Sequence, residues 1–192
     1  FQPDICWFKD RSSGYDHVLQ DSVRGATKTV YPDDPAAEDT YANGQTSFDA
    51  DGFTLGNQAT VFNKSGDNYA SWNWKAGTTT GIDTTGSTIT PTAYSFNQTS
   101  GVSIIQYDGN NVQGATVPHG LGAAPQFILI KARDATESWA TGHHHMNFGN
   151  PSVTGWDYYM YLNTTAPRGQ NNNRFGNVNP TSTVFSIGND DS

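Results

Sequence analysis

Two stretches of this 192-residue chain repeat one another, and that self-similarity restricts the fold more than any single motif does. Pro3-Asp4-Ile5-Cys6-Trp7-Phe8-Lys9-Asp10-Arg11 aligns without gaps with Pro125-Gln126-Phe127-Ile128-Leu129-Ile130-Lys131-Ala132-Arg133. Proline, a four-residue apolar run, lysine and arginine recur in order. Further on, Asp51-Gly52-Phe53-Thr54-Leu55-Gly56-Asn57 matches Thr183-Val184-Phe185-Ser186-Ile187-Gly188-Asn189. The offset grows from 122 to 132 between the blocks, so the second copy carries ten extra residues. The loop-like stretches Gly142 to Gly155 and Arg168 to Asn173 are the expected places for them.

The copies also differ at their ends. Val102 to Gly109 and the turn His119-Gly120-Leu121-Gly122 precede the second copy with no counterpart before the first. Tyr69-Ala70-Ser71-Trp72-Asn73-Trp74, alternating aromatic with small or polar residues as a half-buried strand does, follows only the first. With Phe1 in place of Met, the expectation is an internal window on a longer array. Residues 1–76 form a first copy lacking its N-terminal strands. Residues 77–100 form a Thr/Gly/Ser-rich linker or edge strand, and residues 101–192 a second copy lacking its C-terminal strand.

Composition then selects the secondary structure. Charged residues are only 15% of the chain, glutamate occurs twice, and aromatics reach 12%. Few helix formers and many β-branched, aromatic and turn residues predict an all-β protein of two tandem antiparallel β-sandwich modules. The pattern places strands at Ile5–Phe8, His17–Asp21, Thr27–Tyr31, Phe48–Leu55, Ala59–Phe62, Tyr69–Trp74, Val102–Tyr107, Phe127–Lys131, Trp139–Gly142, Trp156–Leu162 and Thr183–Ile187. Pro35 to Ala42 alone reads as a helical turn. The net charge of −8 opposes phosphate binding, so no nucleic-acid partner is expected. No apolar run reaches the ~20 residues of a membrane span, so no membrane insertion is expected. The lone Cys6 can build neither an intramolecular disulfide framework nor a cysteine-based zinc site.

Phe1-Gln2-Pro3-Asp4 with the following Trp7, Lys9, Arg11 and Ser12, then Asp21 to Lys28, Ser47 to Phe53 and Trp72 to Gly77, resemble a tandem-repeat module of marine bacteriophage tail-fibre-like and virion structural proteins. His119 to Gly122, Pro125 and Lys131 fit the same module in the second copy, and the resemblance covers nearly the whole chain. It implies a concanavalin-A-like jelly roll and a place in the virion, in a tail or fibre. It also implies partnership with other copies, a homotrimer among the options, and with other virion proteins. It supplies no catalytic residues. Gly142 to Gly155 departs from the module's pattern.

The side chains add candidates and weigh against others. His143 and His145 of the triple-histidine run would face one way on a strand, where a trimer axis could gather them around a transition metal, although an exposed polar loop explains them as well. Asp49-Ala50-Asp51-Gly52 has half of a calcium loop and reads better as a β-turn. Neither a Gly-x-Ser-x-Gly elbow nor a strand-borne glutamate pair is present, so no catalytic role and no cofactor are expected. Carbohydrate contact, by aromatic stacking and amide hydrogen bonds, points to Trp156, Tyr158, Tyr159, Tyr161, Asn163, Arg168, Asn172 and Arg174. The same aromatics could instead fill both faces of a sandwich strand. Trp7, Trp72 and Trp74 read as core or interdomain packing. The repeated Lys9/Arg11 and Lys131/Arg133 pairs read as architectural, binding turn carbonyls or neighbouring acids. The function expected is a virion structural element, a tail fibre or tail-associated protein touching host-surface glycan. The competing classes are a capsid or decoration component, a cellular filament or adhesin subunit, and a polysaccharide-cleaving enzyme.

Overall fold

The apolar run after Pro3 forms strand β1 (Ile5–Asp10), in which Cys6, Phe8 and Asp10 are buried while Ile5, Trp7 and Lys9 lie half exposed, the period-two signature of a sheet with unlike faces. The computed structural model describes residues 1–57, 60–171 and 173–189. After β1 come β2 (Val18–Asp21), β3 (Lys28–Thr29), β4 (Asp39–Thr40), β5 (Gln45–Asp49), β6 (Gly52–Leu55) and β7 (Tyr69–Trp74). The second unit holds β8 (Ala93–Asn97), β9 (Val102–Gln106), β10 (Ala115–Pro118), β11 (Phe127–Ile130) and β12 (Ala140–His143), followed by β13 (Tyr158–Tyr161), β14 (Gly169–Gln170) and β15 (Val184–Ile187). All pairings among them are antiparallel, and the protein is all-β.

The repeat reappears as register. β1 pairs with β2 through Ile5↔Asp21 and Phe8↔Val18, and β11 pairs with β12 through Phe127↔His143 and Ile130↔Ala140, the same pairs shifted by 122. β3 and β4 pair as Lys28↔Thr40 and Thr29↔Asp39. β13 and β14 pair as Tyr158↔Gln170 and Tyr159↔Gly169, shifted by 130. Strand β15 occupies the positions of β6 shifted by 132. Six residues (22–27) join β2 to β3, whereas fourteen (144–157) join β12 to β13, so eight of the ten extra residues sit in that one loop. The last two lie after Arg174, beyond the expected Arg168 to Asn173. Gly56 N–H donates to Gly44 O and Gly188 N–H to Arg174 O, which fixes the offset at 130 up to that point.

Each unit has its own core, built from matched positions. Cys6, Phe8 and Val18 meet Phe53, Leu55 and Phe62 in the first, with Phe8 edge-on to Phe53 at 5.0 Å and to Phe62 at 5.6 Å. Ile128, Ile130 and Ala140 meet Phe185 and Ile187 in the second, joined by Trp156, Phe175 and Val117. Burying a side chain of this size contributes ~1.5–3 kcal/mol. The Cys6 thiol is pushed up to about 12 by burial, against a lowering hydrogen bond with Gln45, which leaves it without thiolate chemistry near neutrality. Glycine is required where backbones cross closely: a Cβ on Gly56 would lie 2.5 Å from Asn43 O, and one on Gly188 would overlap Asn173 O.

Several sequence expectations shift. Phe48–Leu55 is a hairpin, not one strand, and Asp49 to Gly52 is its turn, with the Asp49 carboxylate accepting hydroxyl bonds from Ser47 (2.8 Å) and Thr54 (2.7 Å). Pro35 to Ala42 contains β4 instead of a helical turn, because Asp39 and Thr40 complete a ladder with Lys28 and Thr29. Residues 60–62 form a turn in place of the expected strand, while Ala59 lies outside the described residues. The stretch 77–100 contains β8, paired along its length with β9, and Ile89 enters the second core. β10 was not anticipated. It pairs with β15 and is followed by His119, a buried histidine whose Nδ1 accepts Leu121 N–H at 3.1 Å and whose Nε2 lies 3.2 Å from Thr181 O.

Candidate functional site

The two units meet at an ion cluster. Asp21 caps the turn after β2, accepting Val23 and Arg24 N–H groups, and its second oxygen holds Arg24 Nε at 2.5 Å. Arg24 Nη1 reaches Glu38 at 3.2 Å while Nη2 donates to Leu19 O. Glu38 also receives Arg133 of the second unit through Nε (2.9 Å) and Nη2 (3.0 Å), and Glu38 N–H donates to Arg133 O at 2.8 Å. Beside this fork, Trp139 Nε1–H donates to Tyr31 O at 2.6 Å in a buried contact. Burial alone would raise the Glu38 carboxyl, but the bonds from Arg133 and Arg24 and their charge outweigh it and hold it below its ordinary value. The architectural reading of the repeated cations is concrete for Lys9, Lys131 and Arg133, while Arg11 is exposed. Lys9 Nζ binds Ser13 and Tyr15 carbonyls, Lys131 Nζ binds Ala132 and Ala135 carbonyls, and Arg133 joins the units.

The register identifies the same face on the second unit. There Asp21 becomes His143, Tyr31 becomes Tyr161 and Glu38 becomes Arg168. The anionic acceptor is replaced by a cation, and the eight-residue insertion folds back to meet it. Arg168 Nη1 donates to Met146 O, and its guanidinium lies 4.3 Å from the Phe148 ring centroid and 4.0 Å from that of Tyr158. Phe148 is 79% exposed and has a φ of 49°, a left-handed conformation that costs energy for a bulky side chain. Strain of this kind concentrates at functional loops.

The same loop also lines a polar cleft of about 450 Å³. His144, Asn147, Thr154, Asp157, Gln170 and Asn177 line it, an amide- and hydroxyl-rich wall suited to sugar hydroxyls. Asp157 is buried, and its carboxylate is occupied by Thr154 N–H (2.9 Å) and Thr154 Oγ1–H (3.3 Å), which fixes the base of the insertion at the 3-10 turn Gly155–Asp157. Asn147 Nδ2 spans Asn150 O and Val153 O, closing the loop on itself.

The sequence candidates separate accordingly. Arg168 and Tyr158 belong to this site. Trp156 does not: it lies in the 3-10 turn instead of a strand, is 2% exposed, and packs edge-on to Phe175 at 5.7 Å, so it is a core residue. Tyr159 packs against the second core, Tyr161 lies edge-on to it at 5.2 Å, and Arg174 covers both rings while bonding Tyr161 Oη at 2.5 Å, so all three side chains are engaged within the unit. Asn163 is structural, accepting Trp139 N–H at 3.0 Å. Asn172 lies outside the described residues.

His143 and His145 do not share a strand face, because β12 ends at His143 and a turn follows. His143 Nδ1 accepts His145 N–H, and the two rings lie tilted with centroids 6.1 Å apart. Burial first, then the neighbouring His144 and His145 charges, lower the His143 pKa. Among the described residues no group of three or more His, Cys, Asp or Glu side chains is arranged to hold a metal. Trp72 (49% exposed) and Trp74 lie on the open face of β7, contrary to the core expectation, and Trp7 is half exposed, edge-on to Trp72 at 6.5 Å. Phe148, Asn147, Thr154 and Gln170 were not singled out, although the ten-residue excess marked the loop that carries three of them.

A family model described as a domain of unknown function (DUF7483) matches residues 1–192. No curated protein matches the chain, and no solved structure does. Among the described residues no helix is long and apolar enough to cross a membrane.

Proposed function

With the chain a member of the DUF7483 family, we propose that it is a non-catalytic structural element of a bacteriophage virion, part of a tail fibre or tail-associated protein, whose second unit contributes to host-surface glycan attachment. One observation carries this reading. A face that serves in the first unit to dock a neighbouring unit is rebuilt in the second by an insertion that both presents an exposed aromatic ring and lines an amide-rich cleft. Stacking on Phe148 and hydrogen bonds from Gln170 and Asn177 are the two interactions by which proteins hold sugars. Individually weak contacts become durable attachment through repetition along a fibre of identical copies, the oligomer in which the chain acts. The Asp157 carboxylate, the acid lining the cleft, is committed to Thr154, which favours binding over general acid–base chemistry.

The test is binding of the whole chain to a panel of bacterial surface polysaccharides, compared with Phe148→Ala and Gln170→Ala. Retention of one glycan class, lost in both variants without a change in thermal stability, is the expected result. If no polysaccharide is retained, or the variants bind like the parent, the attachment role fails and only the scaffold remains.

A further inference from the structure

The two units are unequal at one strand. In the first, β1 is flanked on both sides, by β2 and by β7, in the order β2-β1-β7. In the second, β11 repeats the β1 register against β12 but ends its sheet, in the order β11-β12-β13-β14. β7 is engaged with β1 over its whole length, from Ile5↔Trp74 to Asp10↔Tyr69, so it is not available to β11.

The backbone bonds show which groups are left over. Ser22 N–H donates to Asp4 O, and its counterpart His144 N–H donates to Gln126 O, so the even residues of β1 and β11 face β2 and β12. Arg11 N–H donates to Asn68 O, so the odd residues of β1 face β7. By the shift of 122, Phe127 and Leu129 direct their N–H and C=O groups to the open edge. That edge lacks the usual protection. Phe127-Ile128-Leu129-Ile130 carries no charge and no proline, Phe127 is 53% exposed, and the nearest lysine, Lys131, has its ammonium folded onto Ala132 and Ala135 carbonyls.

We infer that the free edge of β11 is a strand-addition site whose occupant is an antiparallel β7-type strand, aromatic at alternate positions and supplied from outside residues 1–192. The first unit gives the register: Phe127 lies opposite the position of Trp74, and Leu129 opposite that of Trp72. Main-chain bonds then provide affinity, and the aromatic side chains on the outer face provide selection.

The probe is a labelled synthetic peptide with the sequence of residues 67–76, Asp-Asn-Tyr-Ala-Ser-Trp-Asn-Trp-Lys-Ala, added to the whole chain. Anisotropy reports binding, and hydrogen exchange locates it. The expected result is slowing of the Phe127 and Leu129 amides by about tenfold or more, with β13 and β14 unchanged. In the β1 pairing, Ala70 faces the ladder and Ser71 faces away. A peptide carrying Ala70→Pro is therefore expected to bind at least about tenfold more weakly than one carrying Ser71→Pro. Leu129→Pro in the chain, which removes an outward N–H and spares the β12 ladder, should abolish binding. If that variant misfolds, the peptide pair still decides. Equal binding of the two proline peptides, protection at a strand other than β11, or self-association through β11 that the peptide does not displace overturns the inference.

Discussion

The first unit meets its neighbour with Glu38; the second presents Arg168 at the same position of the same framework. Around Glu38 the loop is short and every charge is matched, so the surface is a joint. Around Arg168 the loop is eight residues longer, the cation is satisfied by a carbonyl and two aromatic rings, and a ring and a cleft are left facing solvent. The comparison separates what the framework requires from what a position adds. Register, core and the lysine latches are common to both units, and divergence is concentrated on the one face where a unit meets something else.

The sharpest way to break the equivalence is at the matched glycines. Gly188→Ala should destabilise the chain by about 2–4 kcal/mol, because the added carbon meets the Asn173 carbonyl, which as backbone cannot swing aside; Gly56→Ala should cost less. Urea midpoints of the two variants check the order. Next in size is the joint. Glu38→Gln leaves Arg24 buried with Asp21 alone and Arg133 without its fork, a loss of about 2–4 kcal/mol once solvent screening of the half-exposed Arg133 is allowed for. It should split one unfolding transition into two, and a single unchanged transition would show that the units are coupled elsewhere. Trp139→Phe removes one buried donor from the same joint while keeping the ring, and about 1–2 kcal/mol is expected by the same measurement.

Protonation distinguishes the units further. The Glu38 carboxyl is held below its ordinary value of 4.5, so its contribution is complete above that value and is lost as pH falls through the lower folded value; Glu38→Gln should flatten this part of the stability curve. His119, in the second unit, is lowered from 6.5 chiefly by burial, against a raising bond to Thr181 O. Its unfolded form protonates first, so stability declines as pH drops from 6.5 toward the folded value, and His119→Gln should remove that slope from a pH series of thermal melts. Smallest of all is Phe148→Ala. An exposed ring on a left-handed residue should leave the melting temperature within the range of ordinary surface changes, about 0.5 kcal/mol either way, even where it abolishes glycan retention.

What the sequence disclosed follows from the range of the forces involved. The repeated Pro-apolar-Lys-x-Arg block located β1 and β11 because a short apolar run bounded by proline and a cation is written in adjacent residues. β10 escaped because Ala115 to Pro118 is four residues long and becomes a strand only by pairing with β15, some seventy positions away. Trp156 was misplaced because alternation with Tyr158 looks like a strand, whereas Gly155 and the Thr154–Asp157 box turn the chain before it. The loop of the candidate site was visible as excess length, but the stacking of Phe148 on Arg168 depends on a fold-back that no periodicity encodes.

The change of sign between Glu38 and Arg168 also governs what happens when many molecules crowd together. An arginine-bearing hairpin presented to the second unit would meet another guanidinium where the first unit offers a carboxylate, so this contact is directional: the first unit can receive it and the second repels it.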